Sequence, residues 1–237
     1  MSRRFIDDFD VILLDQGRTF MFGNDRFGAT ADYFSTYRQL EGQEMSPDHL
    51  RAVIEVLYAH LLAVCRDPSR YESFPSVARC LRELQFPCQL DEEEIGRIAD
   101  VIALHELGEI SERHTAAILA LSQTHRLGIV SNIWAEKKRF EEKLRVKGIF
   151  KCFEHKVWSS DHVWIKPSRR LFELALNRFN VHPSRVIFVG DHPMRDIDGA
   201  GAMGCSTVWV CNGDAKFPEK LRSPNRTIRH LEELTQI

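Results

Sequence analysis

The sequence predicts a doubly wound parallel α/β sheet carrying a smaller all-helical insert. Three observations point there: apolar runs that end on polar residues, helical patterns that alternate with those runs from residue 111 onward, and a stretch from 20 to 110 that offers helices without strands.

The first run, VILLD (11 to 15), is short, begins with a β-branched pair and stops at Asp15, with Gly17 close behind. It reads as a buried strand that delivers a carboxylate to a sheet edge. Helical stretches follow. They are ATADYFSTYRQL, then SPDHLRAVIEVLYAHLLAVC with Ser46 as cap and Pro47 at the first helical position, then DEEEIGRIADVIALHEL with acids in its first turn. After residue 110 the alternation sets in. The helical patterns SERHTAAILALSQ, AEKKRFEEKLRV and SRRLFELALNRF interleave with the strands LGIVSN (127 to 132), KVWSSD (156 to 161) and VIFVGD (186 to 191), and STVWVCNG (206 to 213) comes last. In SRRLFELALNRF, Leu171, Leu174, Ala175 and Phe179 share one face and Ser168 stands where a cap belongs. The expected division is an α/β core of residues 1–19 and 111–237, interrupted by a helical module of residues 20–110 placed to act as a lid.

Composition narrows the function classes. The 237 residues carry 32 basic and 34 acidic side chains, a formal charge of -2, and the two signs are interspersed. No long-range field favours nucleic acid, so the expected partner is a small-molecule substrate, with neither nucleic acid nor membrane. Cys65, Cys80, Cys88, Cys152, Cys205 and Cys211 are scattered without a C-x-x-C pair, which fits reduced thiols better than a disulfide framework or zinc site. The opening MSRRFIDDFD has no apolar segment behind its basic residues, and no stretch approaches the length of a membrane span. A cytoplasmic location is expected, and the oligomeric state is open.

The strand ends carry the chemistry: Asp15, Ser131, Lys166 in WIKPS, and Asp191 with Asp196 in VGDHPMRDIDGAGAMG. Parallel strands bring their C-terminal ends to one edge, so groups more than a hundred residues apart meet there. Each alone has an ordinary use as a turn former, helix cap or surface residue. Together and in this order, DQGRT (15 to 19), Ser131 in GIVSN, Lys166 in IKPS and GDHPMRD (190 to 196) resemble the four motifs of the haloacid dehalogenase-like (HAD) hydrolase superfamily. The resemblance covers nearly the whole chain, and the insert resembles that family's cap of the kind placed after the first motif.

The resemblance implies a Rossmann-like core and a phosphatase-type hydrolase with Asp15 as nucleophile and Ser131 and Lys166 at the phosphate. The implied substrate-binding set adds Thr19, Asn132 and Arg18. Mg²⁺ is expected among Asp15, Asp191, Asp196 and the backbone carbonyl of Gly17. Physical chemistry runs the same way. A carboxylate that attacks phosphorus splits one hard displacement into two. Crowded acids repel unless a cation shares them, and hard oxygen ligands suit Mg²⁺.

Gly17 departs from the pattern. Family phosphatases carry there a second Asp that protonates the leaving group and later activates water. Such assistance is worth about 10² to 10⁴ in rate, so weak activity or a restriction to good leaving groups is expected. His192 is one candidate to supply the proton, against its plainer reading as an exposed loop residue, and Arg18 stays charged and suits an anion clamp. Three readings stay open: a Mg²⁺-dependent phosphoryl hydrolase of a small phosphorylated metabolite, a 2-haloacid dehalogenase-type hydrolase, and a noncatalytic anion-binding protein. The family's phosphonate chemistry needs a cap lysine, and residues 20 to 110 contain none. In that insert, Tyr33, Phe34, Tyr37, Leu57, Tyr58 and Leu61 are expected to pack helix against helix rather than to meet substrate. Gly23 and Gly28 are hinge candidates, and Arg26, Arg38 and His60 are candidates to face the cleft.

Overall fold

The structure is a computed structural model and describes residues 4–23, 27–211 and 213–236. A six-stranded sheet in the order β3-β2-β1-β4-β5-β6 forms its centre, from β1 (Val11–Leu14), β2 (Arg126–Ser131), β3 (Phe153–Trp158), β4 (Val186–Gly190), β5 (Ser206–Val210) and β6 (Arg226–Ile228). Every pairing is parallel, with Leu14 level with Ile129 on one side and Val189 on the other. All four residues of β1 are buried, because a central strand covered on both faces has no solvent side and reads as a continuous apolar run. The strand order reverses at β1, and a crevice opens there beyond the strands' C-terminal ends.

Helices cover both faces. On one side α5 (Glu112–Ser122) and α6 (Lys138–Val146) set Ile118, Leu121, Phe140 and Leu144 against Ile12, Leu14 and Ile129. On the other, α7 (Arg169–Phe179) and the short α8 (Gly199–Ala202) bring Leu171, Phe172, Ala175 and Ala200 against Leu13, Val130 and Phe188. Caps fix where the helices start. Ser111 accepts from the His114 N–H and Ser168 from that of Arg170, while Asn180 closes α7 in the left-handed region with φ 50°.

Between β1 and α5 the chain folds into α1 (Tyr33–Gln39), α2 (Pro47–Arg66), α3 (Val77–Glu83) and α4 (Glu92–Glu106). These helices share an apolar cluster of their own, in which Tyr37, Leu50, Val53, Ile54, Leu57, Leu61 and Ile98 are fully buried. Of the residues expected to pack there, Tyr33, Phe34, Tyr37, Leu57 and Leu61 do so, while Tyr58 turns to the cavity described below. Two segments join this module to the sheet, and they pair: the Phe22 N–H donates to the Glu109 carbonyl (2.9 Å) and the Glu109 N–H donates back (2.6 Å). No helix among the described residues is long and apolar enough to cross a membrane.

Several boundaries differ from the sequence reading, each for a local reason. The third strand is Phe153–Trp158, ahead of the expected 156 to 161, because Ser159 leaves the ladder: its hydroxyl donates to the Ile133 carbonyl and accepts from the Ile133 N–H. The helix after β2 begins at Lys138 and not Ala135, since the Trp134 and Ala135 N–H groups are bound to the Glu106 carboxylate. The first helix of the insert starts at Tyr33, where Asp32 accepts from the Ser35 N–H. β6 and α3 carry no apolar run or periodicity long enough to mark them in the sequence.

Candidate active site

Asp15 leaves β1 at the sheet edge, its N–H still donating to the Val189 carbonyl (2.9 Å). The chain then turns tightly: the Gln16 carbonyl accepts from the N–H groups of Thr19, Phe20 and Met21, and Arg18 takes the left-handed region at φ 59°. The turn leaves Asp15 7% exposed.

Three other elements meet that carboxylate. Ser131, the last residue of β2, donates to Asp15 Oδ1 at 2.9 Å. The Lys166 ammonium donates to the same oxygen at 2.7 Å, to Asp196 Oδ1 at 2.7 Å and to the Val130 carbonyl at 2.8 Å. An ammonium has three donors, and all three are directed to protein oxygens. Lys166 thus balances charge between two carboxylates, and it is only 1% exposed. Asn132 fixes the lysine's backbone on both sides, accepting from its N–H (2.8 Å) and donating to its carbonyl (3.1 Å).

The fourth group comes from the turn after β4. Asp196 Oδ2 accepts from the His192 N–H at 2.9 Å, and its side chain lies so close to Gly190 that a Cβ there would stand 2.5 Å from the carboxyl. Glycine at 190 is therefore what lets Asp196 approach. Asp191 is half-buried and ion-paired with Arg18 at 3.6 Å. Asp15, Asp191 and Asp196 each present a carboxylate oxygen, all within 4.8 Å of one another.

Charge balance at this edge is incomplete. Burial, then the charges of Asp196 and Asp15, push the Asp191 carboxyl up to about 7. Burial likewise raises Asp15 against the pull of Lys166. Burial alone lowers an ammonium, but the two carboxylates hold Lys166 above its usual value. Three acids facing one lysine thus fit a divalent cation: hard oxygen donors, close spacing and net negative charge suit Mg²⁺.

A cavity of about 360 Å³ opens over these groups. Asp15, Gly17, Arg18, Ser131, Asn132, Lys166, Asp191 and Asp196 line it. Thr19 is fully buried outside that lining and its hydroxyl meets no partner among the described residues. Arg38 is exposed and donates to the Gly42 carbonyl, and neither it nor His60 lines the cavity; Arg26 lies outside the described residues. His192 is half-buried in the cavity wall and not an exposed loop residue, and burial, then Arg195 and Lys166, push its imidazole down to about 4.

Other lining residues carry no signature in the sequence. Glu106 ends α4, Arg195 reaches from the β4 turn to the Cys65 carbonyl at 3.2 Å, and the rings of Phe27, Tyr58 and Trp134 pack together with centroids 5.2–6.0 Å apart. The cavity therefore lies between the sheet edge and the helical module. A helix end and three separated aromatics meet only through the fold.

Comparison with known proteins agrees with this fold. Residues 163–234 match the HAD-hydrolase-like family model. The glyceraldehyde 3-phosphate phosphatase of Pyrococcus abyssi is 34% identical over 120 residues, 48% of this chain and 50% of that protein. The chain spans about half the length of such curated relatives. Among solved structures, a 2-haloacid dehalogenase from Pseudomonas syringae superposes with a TM-score of 0.67 at 22% identity, covering 96% of this chain and 97% of that one. A HAD-hydrolase of Bacillus subtilis described as bound to magnesium gives 0.65 at 18%, covering 99% and 98%. Family model, relatives and shared fold converge: residues 163–234 match the HAD-hydrolase-like family, and the whole chain has the fold seen in haloacid dehalogenase-like hydrolases.

Proposed function

We propose that the chain hydrolyses a small phosphorylated metabolite in a Mg²⁺-dependent reaction through an aspartyl-phosphate on Asp15, with residues 20–110 as the cap over the site. The observation that carries this reading is the contact set of Asp15, a buried carboxylate held by Ser131 and Lys166 beside Asp191 and Asp196. Relatives named as phosphatases and a neighbour described as magnesium-bound support it. Two acids beyond Asp15 serve a cation and have no use in metal-free dehalogenation, which weighs against a haloacid substrate.

Ser131 and Lys166 fix the Asp15 side chain, and Lys166 keeps it ionised enough to attack. As an oxygen of Asp15 bonds to phosphorus, the bond from phosphorus to the leaving oxygen breaks. Water then attacks phosphorus and releases Asp15. In the 16–19 turn the Arg18 and Thr19 N–H groups already serve the Met21 and Gln16 carbonyls, which leaves those of Gln16 and Gly17 as backbone donors for the transferring group, with the Ser131 hydroxyl turning to it from Asp15. Asp15, Asp191, Asp196 and the Gly17 carbonyl would hold Mg²⁺, which supplies Lewis-acid neutralisation of the phosphoryl oxygens. Asn132 and Arg18 complete the substrate side, Arg18 as an anion clamp at the mouth.

The test is a panel of acyl phosphates, alkyl phosphate esters and 2-haloacids, each with Mg²⁺ and with EDTA. Phosphate release that needs Mg²⁺ and is lost in Asp15→Asn is the expected result. Metal-independent halide release, or metal binding without turnover of any compound, contradicts the proposal.

A further inference from the structure

Phosphoryl transfer to Asp15 leaves a proton unaccounted for when the leaving group is an alkoxide, and Gly17 has no side chain to supply it. A Cβ built on Gly17 meets nothing within 4 Å, so the space beside the nucleophile is open. Among the described lining residues, Asp15, Lys166 and Asp196 bond one another and Asp191 pairs with Arg18. Arg18 and Arg195 stay charged. His192 uses Nδ1 to accept from the Arg195 N–H, and Cys65 is engaged by the Arg195 guanidinium. Tyr58 packs within its aromatic group. Of the four lining carboxylates, Glu106 is the one that pairs with no cation among the described residues.

Its position connects it to the nucleophile loop. Gly17 pairs with Met21, and the next residue, Phe22, pairs with Glu109, three positions beyond Glu106. The carboxyl itself is held rigidly: Oε1 accepts from the Trp134 N–H at 2.8 Å, and Oε2 from those of Trp134 at 3.1 Å and Ala135 at 3.0 Å. A carboxylate offers about four lone-pair sites, so these three contacts leave one for a proton.

We infer that Glu106, from the last turn of α4, is the proton carrier that stands in for the side chain missing at Gly17; this rests on the phosphoryl-transfer reading above. As Asp15 bonds to phosphorus and the leaving oxygen departs with its electron pair, the Glu106 carboxyl passes its proton to that oxygen. In the second step the Glu106 carboxylate takes a proton from the attacking water while the bond from Asp15 to phosphorus breaks, which returns the starting form. Burial pushes this carboxyl up to about 7, so both protonation states are available near neutrality. Beyond the cavity groups already named, the neighbouring ionisable groups are occupied: His105 contacts the Thr36 hydroxyl and Glu109 pairs with Lys143.

The test compares glycerol phosphate, which has a poor leaving group, with acetyl phosphate, which has a good one, using the full chain with Mg²⁺. In Glu106→Gln the ratio of kcat/KM for the first to that for the second is expected to fall by about 10² to 10⁴. Adding Gly17→Asp to that variant is expected to recover the ratio to within about tenfold, a rescue that a merely structural tie at Glu106 would not give. In the wild type, kcat/KM for glycerol phosphate falls as pH rises through about 7 while that for acetyl phosphate does not. An unchanged ratio in Glu106→Gln, or a double variant as impaired as the single one, overturns the inference. If Glu106→Gln does not fold, the wild-type profiles decide, and two parallel profiles overturn it. Turnover of acetyl phosphate without turnover of glycerol phosphate removes Glu106 alone. Turnover of neither removes the phosphoryl-transfer reading with it.

Discussion

Lys166 is the residue on which the geometry of the site turns. A buried ammonium survives only where its charge is paired, and here two carboxylates and a carbonyl take all its donors. Lys166→Met leaves Asp15 and Asp196 buried without their cation, which is expected to cost about 3–5 kcal/mol at neutral pH. The loss shrinks as pH falls. Burial already raises the Asp15 carboxyl and Lys166 pulls against it, so without the lysine Asp15 titrates higher in the folded chain than in the unfolded one, folding takes up a proton and acid restores stability. Urea titrations of wild type and variant in metal-free buffer at two pH values check both the size and the sign. A loss that does not change with pH means that the ammonium does not balance the acids. This lysine was legible in the sequence only by its place after a strand in IKPS; nothing in one sequence separates it from a solvated lysine until the strands line up.

At the scale of elements, the most readable features were those whose physics is local. Apolar runs with polar ends gave five strands, and Ser46 and Ser168 marked helix starts through side-chain acceptors that need only nearby N–H groups. β6 escaped because a short edge strand has little to bury, and β3 was misplaced because Ser159, a residue of ordinary strand appearance, bonds across to Ile133 instead. Glu106 escaped for the same reason: its partners lie 28 and 29 positions away on the loop after β2. The insert's own core makes a prediction at this scale. Leu57 is fully buried among the helices, and Leu57→Ala is expected to cost about 2–5 kcal/mol. Its neighbour Tyr58 lines the cavity beside Phe27 and Trp134, so KM is expected to rise more than kcat falls. Denaturation midpoints and steady-state kinetics on acetyl phosphate measure the two effects. A stability loss with KM unmoved separates the insert's core from the site.

At the scale of the whole molecule, the fold gathers side chains from four strand ends and closes a helical module over them. The module's two connections pair at Phe22 and Glu109, and Arg195 reaches across to Cys65. Under the proposed function, catalysis and substrate choice are therefore expected to sit on different parts of the chain. The carboxylates belong to the sheet edge, while the aromatic wall joins Phe27 and Tyr58 of the insert to Trp134 of the loop after β2. What the sequence could not convey is this second half, because the direction a helix residue faces depends on which neighbour it docks against.

Asp15 as the attacking group is the claim everything else serves. Rapid acid quench during turnover of acetyl phosphate with Mg²⁺, followed by peptide mass analysis, tests it most directly. The account predicts a phosphoryl adduct on Asp15 that hydroxylamine removes and that Asp15→Asn lacks. Phosphate release with no adduct at any time point, or an adduct on another side chain, contradicts it.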